Sequence, residues 1–353
     1  MIVLGVFLHA LGGFAAGSFY LPFKKVRDWA WESYWLVGGV ASWIVMPLLL
    51  AVLTVPNLGD VLRNAPKSSM LWCYIFGLLW GIGGLTFGLS VRYLGLSLGY
   101  AVALGFCAAF GTIIPPIYRG EFGNLVTSVS GLVTLGGVLV CLAGIAICGR
   151  AGVLKEKELS TEQKQKTIAE FDFTKGLWVA IFAGIMSACM AFGISAGEPI
   201  AELALARGTH SLWQNSPVFV FVLAGGFTTN FLWCIFLNVR NRSADNYLDP
   251  RTPLGNNYIF SILAGATWYL QFMFYGMGET RMGDYGFSSW TIHMAFIIVF
   301  SNIWGILLHE WKGTSRRTIR LVCLGIAVLI VSTLVVGLGS YLKYRSALNN
   351  PEF

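Results

Sequence analysis

Charged residues are scarce in this sequence. Asp, Glu, Lys and Arg together make up 12% of 353 residues, against 56% that are hydrophobic. A soluble domain carries about twice that charge. Such a chain cannot hide its apolar surface in one aqueous core, so it belongs in a lipid bilayer. The motifs of soluble catalysis are also missing: there is no GxxxxGK[ST] run to cradle ATP phosphates and no HExxH pair to hold zinc. CxxC is absent and all seven cysteines lie inside apolar runs, which argues against a disulfide framework or a thiolate metal site. No cofactor and no metal is expected. No long alternation of polar and apolar residues supports a β-barrel. No charged segment precedes the apolar residues 1–23, so no removable signal peptide is expected. The net charge of +7 collects in membrane-edge loops rather than in a basic stripe interleaved with aromatics, and nucleic acid is not expected as a partner.

What the sequence does have is long apolar runs. Ten are free of Asp, Glu, Lys and Arg: 1–23, 33–59, 68–91, 93–118, 122–149, 176–197, 211–239, 252–278, 285–308 and 321–342. Each exceeds the ~20 residues a helix needs to cross the hydrocarbon. The expected fold is an all-α membrane protein of ten transmembrane helices. One long polar link, 150–175, divides it into an N-terminal five-helix repeat (1–149) and a C-terminal one (176–353). Its plain reading is a solvated linker. Seventeen Lys and Arg fall in the links after odd-numbered helices, and seven lie on the other side, tails included. The positive-inside rule then puts both termini outside and the 150–175 linker in the cytoplasm.

An odd helix number per half makes the halves inverted repeats, a transporter architecture with its substrate held near midplane. A weak internal echo agrees. At an offset of 188, Gly77, Trp80, Gly88 and Gly95 meet Gly265, Trp268, Gly276 and Gly283. Both stretches fall at the same place in the helix count, helices 3–4 and 8–9.

Within the ten runs, His9 and His293 are the only Asp, Glu, Lys, Arg or His side chains. Intramembrane ionisable groups are costly and usually face a cavity. Counting ~1.5 Å per residue from outside puts each ~12 Å deep, which suggests one shared site. A hydrogen-bonded structural role is the plainer alternative. Histidine titrates near neutral pH and so suits proton coupling. On helix 8, Trp268, Gln271 and Tyr275 share one face by their spacing of three and four. An amide between aromatics fits a sugar, whose C–H patches lie on rings while its hydroxyls meet the amide; an aromatic packing stripe would look the same. Trp80 is the repeat partner of Trp268, and Trp290 precedes His293 by three. Glu32 has two readings: an ion pair with Lys24, Lys25 or Arg27, or a proton carrier reached from inside.

Four segments carry a resemblance: SFYLPFKKVRDWAWESYWLVGG (18–39), RYLGLSLG (92–99), WYLQFMFYGMG (268–278) and WTIHM (290–294). They resemble the L-rhamnose–proton symporters of the drug/metabolite transporter superfamily, and the likeness covers nearly the whole chain. It implies ten helices in two inverted five-helix repeats and proton-coupled import of a 6-deoxyhexose, or a related deoxy- or aldo-sugar, across a bacterial inner membrane. His9, Glu32, Gln271 and His293 fall in matching segments. His9, His293 and Glu32 are the candidates for proton coupling; Trp35, Trp80, Trp268, Gln271, Tyr275 and Trp290 are those for the sugar. Export or exchange of another metabolite is the alternative on the same fold. A membrane sensor is a third reading, but no sizeable soluble output domain is present to support it.

Overall fold

The computed structural model describes residues 2–118, 120, 122–158, 172–282, 288–308, 311 and 313–349. These residues contain helices and no strand. In chain order they are α1 (Ile2–Ser18), α2 (Tyr20–Phe23), α3 (Trp31–Val40), α4 (Met46–Thr54), α5 (Leu58–Asn64), α6 (Lys67–Tyr118) and α7 (Phe122–Thr127). There follow α8 (Val129–Glu158), α9 (Phe173–Ala196), α10 (Glu198–Ala206), α11 (Ser216–Asn241), α12 (Leu254–Glu279), α13 (Ser288–Leu307) and α14 (Arg316–Asn349). All backbone polar groups must be satisfied locally in lipid, which is why such a sequence resolves into helices.

Among the described residues, eight helical segments are long and apolar enough to cross a membrane. The ten apolar runs and these eight spans differ at two places. The runs 68–91 and 93–118 form one unbroken helix, α6, whose C-terminal part qualifies only as a shorter apolar stretch, Val102–Tyr118. The run 252–278 forms α12, in which Asn256, Asn257, Gln271 and several aromatics dilute the hydropathy. The polar link starts later than its composition suggests, because α8 continues to Glu158. Residues 159–171, the middle of the expected linker, lie outside the described residues.

The chain divides into two compact units, each drawing on segments from both sides of that linker. Unit 1 comprises Met1–Gly13, Gly83–Ala191 and Gly278–Phe353; unit 2 comprises Phe14–Ile82 and Phe192–Met277. In unit 1, α8 and α14 pack closely because glycines meet bulky residues. A Cβ on Gly144 would lie 2.9 Å from the Leu329 side chain, and one on Gly137 would strike Val336 seven residues further along α14. In unit 2, α6 meets α11 at Gly77, where a Cβ would collide with the Val222 carbonyl. Likewise α12 meets α3 at Gly265, where a Cβ would collide with the Gly38 carbonyl. Small residues at such crossings let membrane helices approach closely.

One irregularity lies on the α3–α4 span. Between Val40 and Met46 the backbone makes a single π-turn, Ala41–Val45, in which the Met46 amide reaches back to the Ala41 carbonyl. Its cause is in the sequence. Pro47 opens α4, has no amide hydrogen, and in a regular helix its ring would strike the carbonyl of Trp43. The widened turn relieves that clash.

Candidate functional site

The polar residues singled out in the sequence fall into three groups. The first surrounds a narrow cleft in unit 2 whose free room is about 10 Å³, space for about one water. Its walls are rings: Phe19 and Phe23 from the α1–α2 region, Trp35 from α3, Trp43 from the π-turn and Trp268 from α12. Gly38, Gly39, Ser42 and Gly265 complete the lining. A Cβ at Gly39 would sit 3.0 Å from the Trp43 ring, so this glycine leaves room for that indole.

The rings form a continuous chain. Trp31 stacks on Trp35 at 5.2 Å, and Trp35 meets Trp43 edge-on at 6.1 Å. Trp43 meets Trp80 at 6.0 Å, and Trp80 meets Phe272 at 5.6 Å. Phe272 meets Trp268 at 6.1 Å, and Trp268 lies 4.2 Å from Phe19. Thus Trp35 and Trp268 line the cleft, while Trp80 stands behind Trp43.

Hydrogen bonding separates these indoles. The Trp35 Nε1–H donates to Asn230 Oδ1 at 3.1 Å. The Nε1–H groups of Trp43 and Trp268 and the Ser42 hydroxyl are buried without a hydrogen-bond partner among the described residues. The Gln271 Nε2 is in the same state, one turn along α12 from Trp268. Gln271 and Tyr275 are buried at 3% exposure each, and neither lines this cleft. A buried polar group without a partner costs ~1–3 kcal/mol and is uncommon in native proteins. Ser42, Trp43, Phe19 and Asn230 did not stand out in the sequence. The available signal was a tryptophan in mid-span, away from the interfaces where tryptophan usually anchors, with a proline four residues later.

The second group is the histidine pair, in unit 1. His9 on α1 and His293 on α13 are fully buried. Their ring centroids are 6.0 Å apart, in an edge-on arrangement. Gly278 makes space for the first: a Cβ there would lie 2.9 Å from Cε1 and Nε2 of His9. Trp290, also in unit 1, donates its Nε1–H to the Cys107 carbonyl at 3.1 Å, and Gly111 on α6 accommodates its ring.

The third group holds Glu32, in unit 2 at the start of α3. Its carboxylate is buried and accepts hydrogen bonds from Ser243 Oγ at 2.6 Å and Asn241 Nδ2 at 3.0 Å. The neighbouring Ser33 hydroxyl donates to Asn246 Oδ1 at 3.0 Å, and Asn238 Nδ2 donates to the Tyr247 hydroxyl. The carboxylate is thus set in a neutral network tying α3 to the end of α11 and the segment after it, which composition alone does not reveal.

Two GxSxG runs, Gly95–Gly99 and Gly193–Gly197, lie in or at the end of helices. A nucleophile elbow needs a strand-to-helix turn, so neither is one. No group of three or more His, Cys, Asp and Glu among the described residues could hold a metal ion.

A family model described as L-rhamnose-proton symport protein (RhaT) matches residues 1–341. Curated relatives named L-rhamnose-proton symporter align over nearly the full length. One from Cronobacter sakazakii is 39% identical over 342 residues, covering 96% of this chain and 98% of its own. One from Mannheimia succiniciproducens is 37% identical and one from Escherichia coli 38% identical, with the same coverage.

Proposed function

The chain belongs to the L-rhamnose–proton symport family, and from that premise we propose that it imports L-rhamnose together with protons by alternating access. The family is one of transporters, not enzymes. The chain is a multi-pass membrane protein, and its relatives' bacterial sources put it in an inner membrane. The observation that carries a sugar site is the cleft of unit 2, where buried donors without partners stand beside aromatic faces. Ring faces cover the C–H patches of a pyranose, and the donors meet its hydroxyls. Trp268 and Trp35 contact sugar in this reading; Trp80 backs the cleft, and Gln271 and Tyr275 extend the polar face of α12. Trp290, whose N–H is engaged by Cys107, braces α13.

The proton goes to the His9–His293 pair. A proton needs no cleft, only a titratable group whose environment changes in the cycle. Sugar and proton must then influence each other's affinity reciprocally. A potential of 100 mV supplies roughly 2.3 kcal/mol per proton, enough for about fifty-fold accumulation of a neutral sugar.

The finer architecture is ten helices in two inverted repeats of five, on the drug/metabolite transporter fold. Two observations support it. The unit boundaries after residues 13 and 82 recur after 191 and 277, so each unit takes corresponding pieces of both repeats. The tight crossings also exchange under the repeat: Gly77 of helix 3 meets helix 7, and Gly265 of helix 8 meets helix 2. The Lys and Arg bias supports cytoplasmic odd links and periplasmic termini. A cysteine at Thr161, in a functional Cys-free background, should resist an impermeant thiol reagent in whole cells while a C-terminal cysteine is labelled.

The test of function is uptake into proteoliposomes. An inward proton gradient should drive labelled L-rhamnose above equilibrium, and an uncoupler should abolish the accumulation. Accumulation that ignores the proton gradient would sink the symport reading.

A further inference from the structure

We propose that the π-turn Ala41–Val45 is the specificity element of the sugar cleft. It delivers Ser42 Oγ and Trp43 Nε1–H to the substrate's hydroxyls, beside Trp268 Nε1–H. The proposal rests on the sugar reading above and deepens it.

The argument begins with backbone geometry. A π-turn closes on i→i+5 and so fits one extra residue into a helical turn. In a regular helix, adjacent residues point ~100° apart, and the wider turn changes which side chains share a face. Here the residues inside the turn, Ser42 and Trp43, line the same cleft as Gly38 and Gly39 one turn earlier. Pro47 holds the turn open, because closing it would drive the proline ring into the Trp43 carbonyl.

The chemistry of the lining is asymmetric. Ser42 is 1% exposed and Trp43 5%, and their polar atoms have no partner among the described residues. Both are therefore unpaired donors at a cleft, more than nine-tenths buried. Trp268 adds a third. The remaining rings, Phe19, Phe23 and Trp35, offer no free donor, since the Trp35 N–H is engaged by Asn230. The lining thus combines donors for ring hydroxyls with ring faces suited to an apolar substituent. A 6-deoxyhexose has that division: hydroxyls around the ring and a methyl on C5. A hexose carrying CH₂OH at that place would bury a hydroxyl against the rings without a partner, which an apolar wall disfavours by up to about a hundred-fold. The π-turn supplies the hydroxyl side of the distinction and the rings the methyl side.

The experiment measures binding of L-rhamnose to purified, full-length protein by calorimetry. The variants are Ser42→Ala and Trp43→Phe, with a set of monodeoxy analogues each lacking one ring hydroxyl. Wild type should bind L-rhamnose at least ten-fold more tightly than L-mannose, its 6-hydroxy counterpart. Each variant should weaken L-rhamnose about ten-fold. The decisive reading is the coupling. The analogue lacking the hydroxyl that Trp43 meets should bind wild type weakly and bind Trp43→Phe no worse than L-rhamnose does, because the pair is already broken. A third variant, deletion of Val45 combined with Pro47→Ala, removes both the extra residue and the ring that holds the turn open, and should remove the preference for L-rhamnose over L-mannose. Thermal melting in the same detergent as wild type confirms which variants are folded, and the coupling is read on those. Strong L-rhamnose binding by wild type, with both side-chain variants unchanged or with every analogue losing equally in wild type and variants, overturns this proposal and leaves the transport reading intact. Failure of wild type to bind L-rhamnose overturns the transport reading itself.

Discussion

The two compact units treat buried polarity differently. In unit 1 most buried donors are engaged within the unit: the Trp290 N–H bonds the Cys107 carbonyl, Thr112 pairs with Thr291, and Ser332 reaches the Leu329 carbonyl. Ser289 is an exception. In unit 2 the Glu32 network is likewise engaged, but among the described residues Ser42, Trp43, Trp268 and Gln271 each leave a buried polar atom without a partner, as do Thr209, Ser261 and Tyr269 away from the cleft. Seven such atoms, at ~1–3 kcal/mol each, are comparable with the ~5–15 kcal/mol that keeps a domain folded. Retaining those of Ser42, Trp43 and Trp268 makes physical sense where a ligand in the cleft supplies the missing partners. The histidine pair needs no such cleft, because its ligand is a proton. Under the proposed function the labour divides along this difference, with sugar recognition in unit 2 and proton coupling in unit 1.

The largest expected effect tests the proton half of that division. Of His9→Gln and His293→Gln, one should abolish uphill uptake driven by a pH gradient while keeping sugar counterflow, and the other should lose less. Counterflow survives because the sugar-loaded carrier can exchange without changing the state of the proton site. Proteoliposomes with labelled L-rhamnose measure both. If both variants accumulate sugar like the parent, the pair is structural and the division fails.

The sugar half is tested by Gln271→Ala. The substitution should weaken L-rhamnose binding by ~1–3 kcal/mol, about five- to hundred-fold, because a buried hydroxyl would lose its partner. Unchanged binding in a folded variant would make Gln271 a packing residue and confine recognition to the cleft proper.

Much of this was readable from the residues, and the gaps have physical causes. Helical character followed from ten apolar runs too long for strands. Their number as separate spans did not follow, because helicity continues through Arg92 from one run to the next. The two histidines stood out because no other Asp, Glu, Lys, Arg or His lay within the runs, and the structure sets their rings 6.0 Å apart. Trp268 and Trp35 stood out as aromatics in motif segments. Ser42 and Trp43 did not, since a π-turn has no periodicity of its own; only Pro47 marked it. The partners of Glu32, Asn241 and Ser243, lie more than 200 positions away in sequence, and no local pattern announces a pairing of that range.

Glu32→Gln can break the comparison from the other side. In the present view the carboxylate is a structural acceptor for Ser243 and Asn241. Its amide should keep one of those bonds and cost about 1–2 kcal/mol, seen as a fall of several degrees in Tm, with gradient-driven uptake retained. Loss of coupling with counterflow intact would place a proton carrier in unit 2 and end the division of labour.

The smallest effect concerns surface carboxylates, one in each unit. Glu158, at the end of α8, accepts hydrogen bonds from the Ser315 hydroxyl at 2.6 Å and the Thr318 hydroxyl at 2.7 Å, and so caps the start of α14. The Ser315 hydroxyl and amide, with Thr318, hold its carboxyl below the usual carboxylate range. Asp249 is held low by Arg251, whose guanidinium lies 2.9 Å away. A carboxyl depressed in the folded state contributes stability above its unfolded value, near pH 4, and loses it as pH falls through the folded value. Both groups are solvent-screened, so Glu158→Gln and Asp249→Asn should each lower Tm by no more than about 2 °C at pH 7. The deficit should shrink toward zero as the pH is lowered to about 3, where the parent's carboxylates are also largely protonated. A melting series across that range measures it. A deficit that grows on acidification would mean the side chains stabilise the fold through their neutral forms, contrary to the hydrogen bonds described.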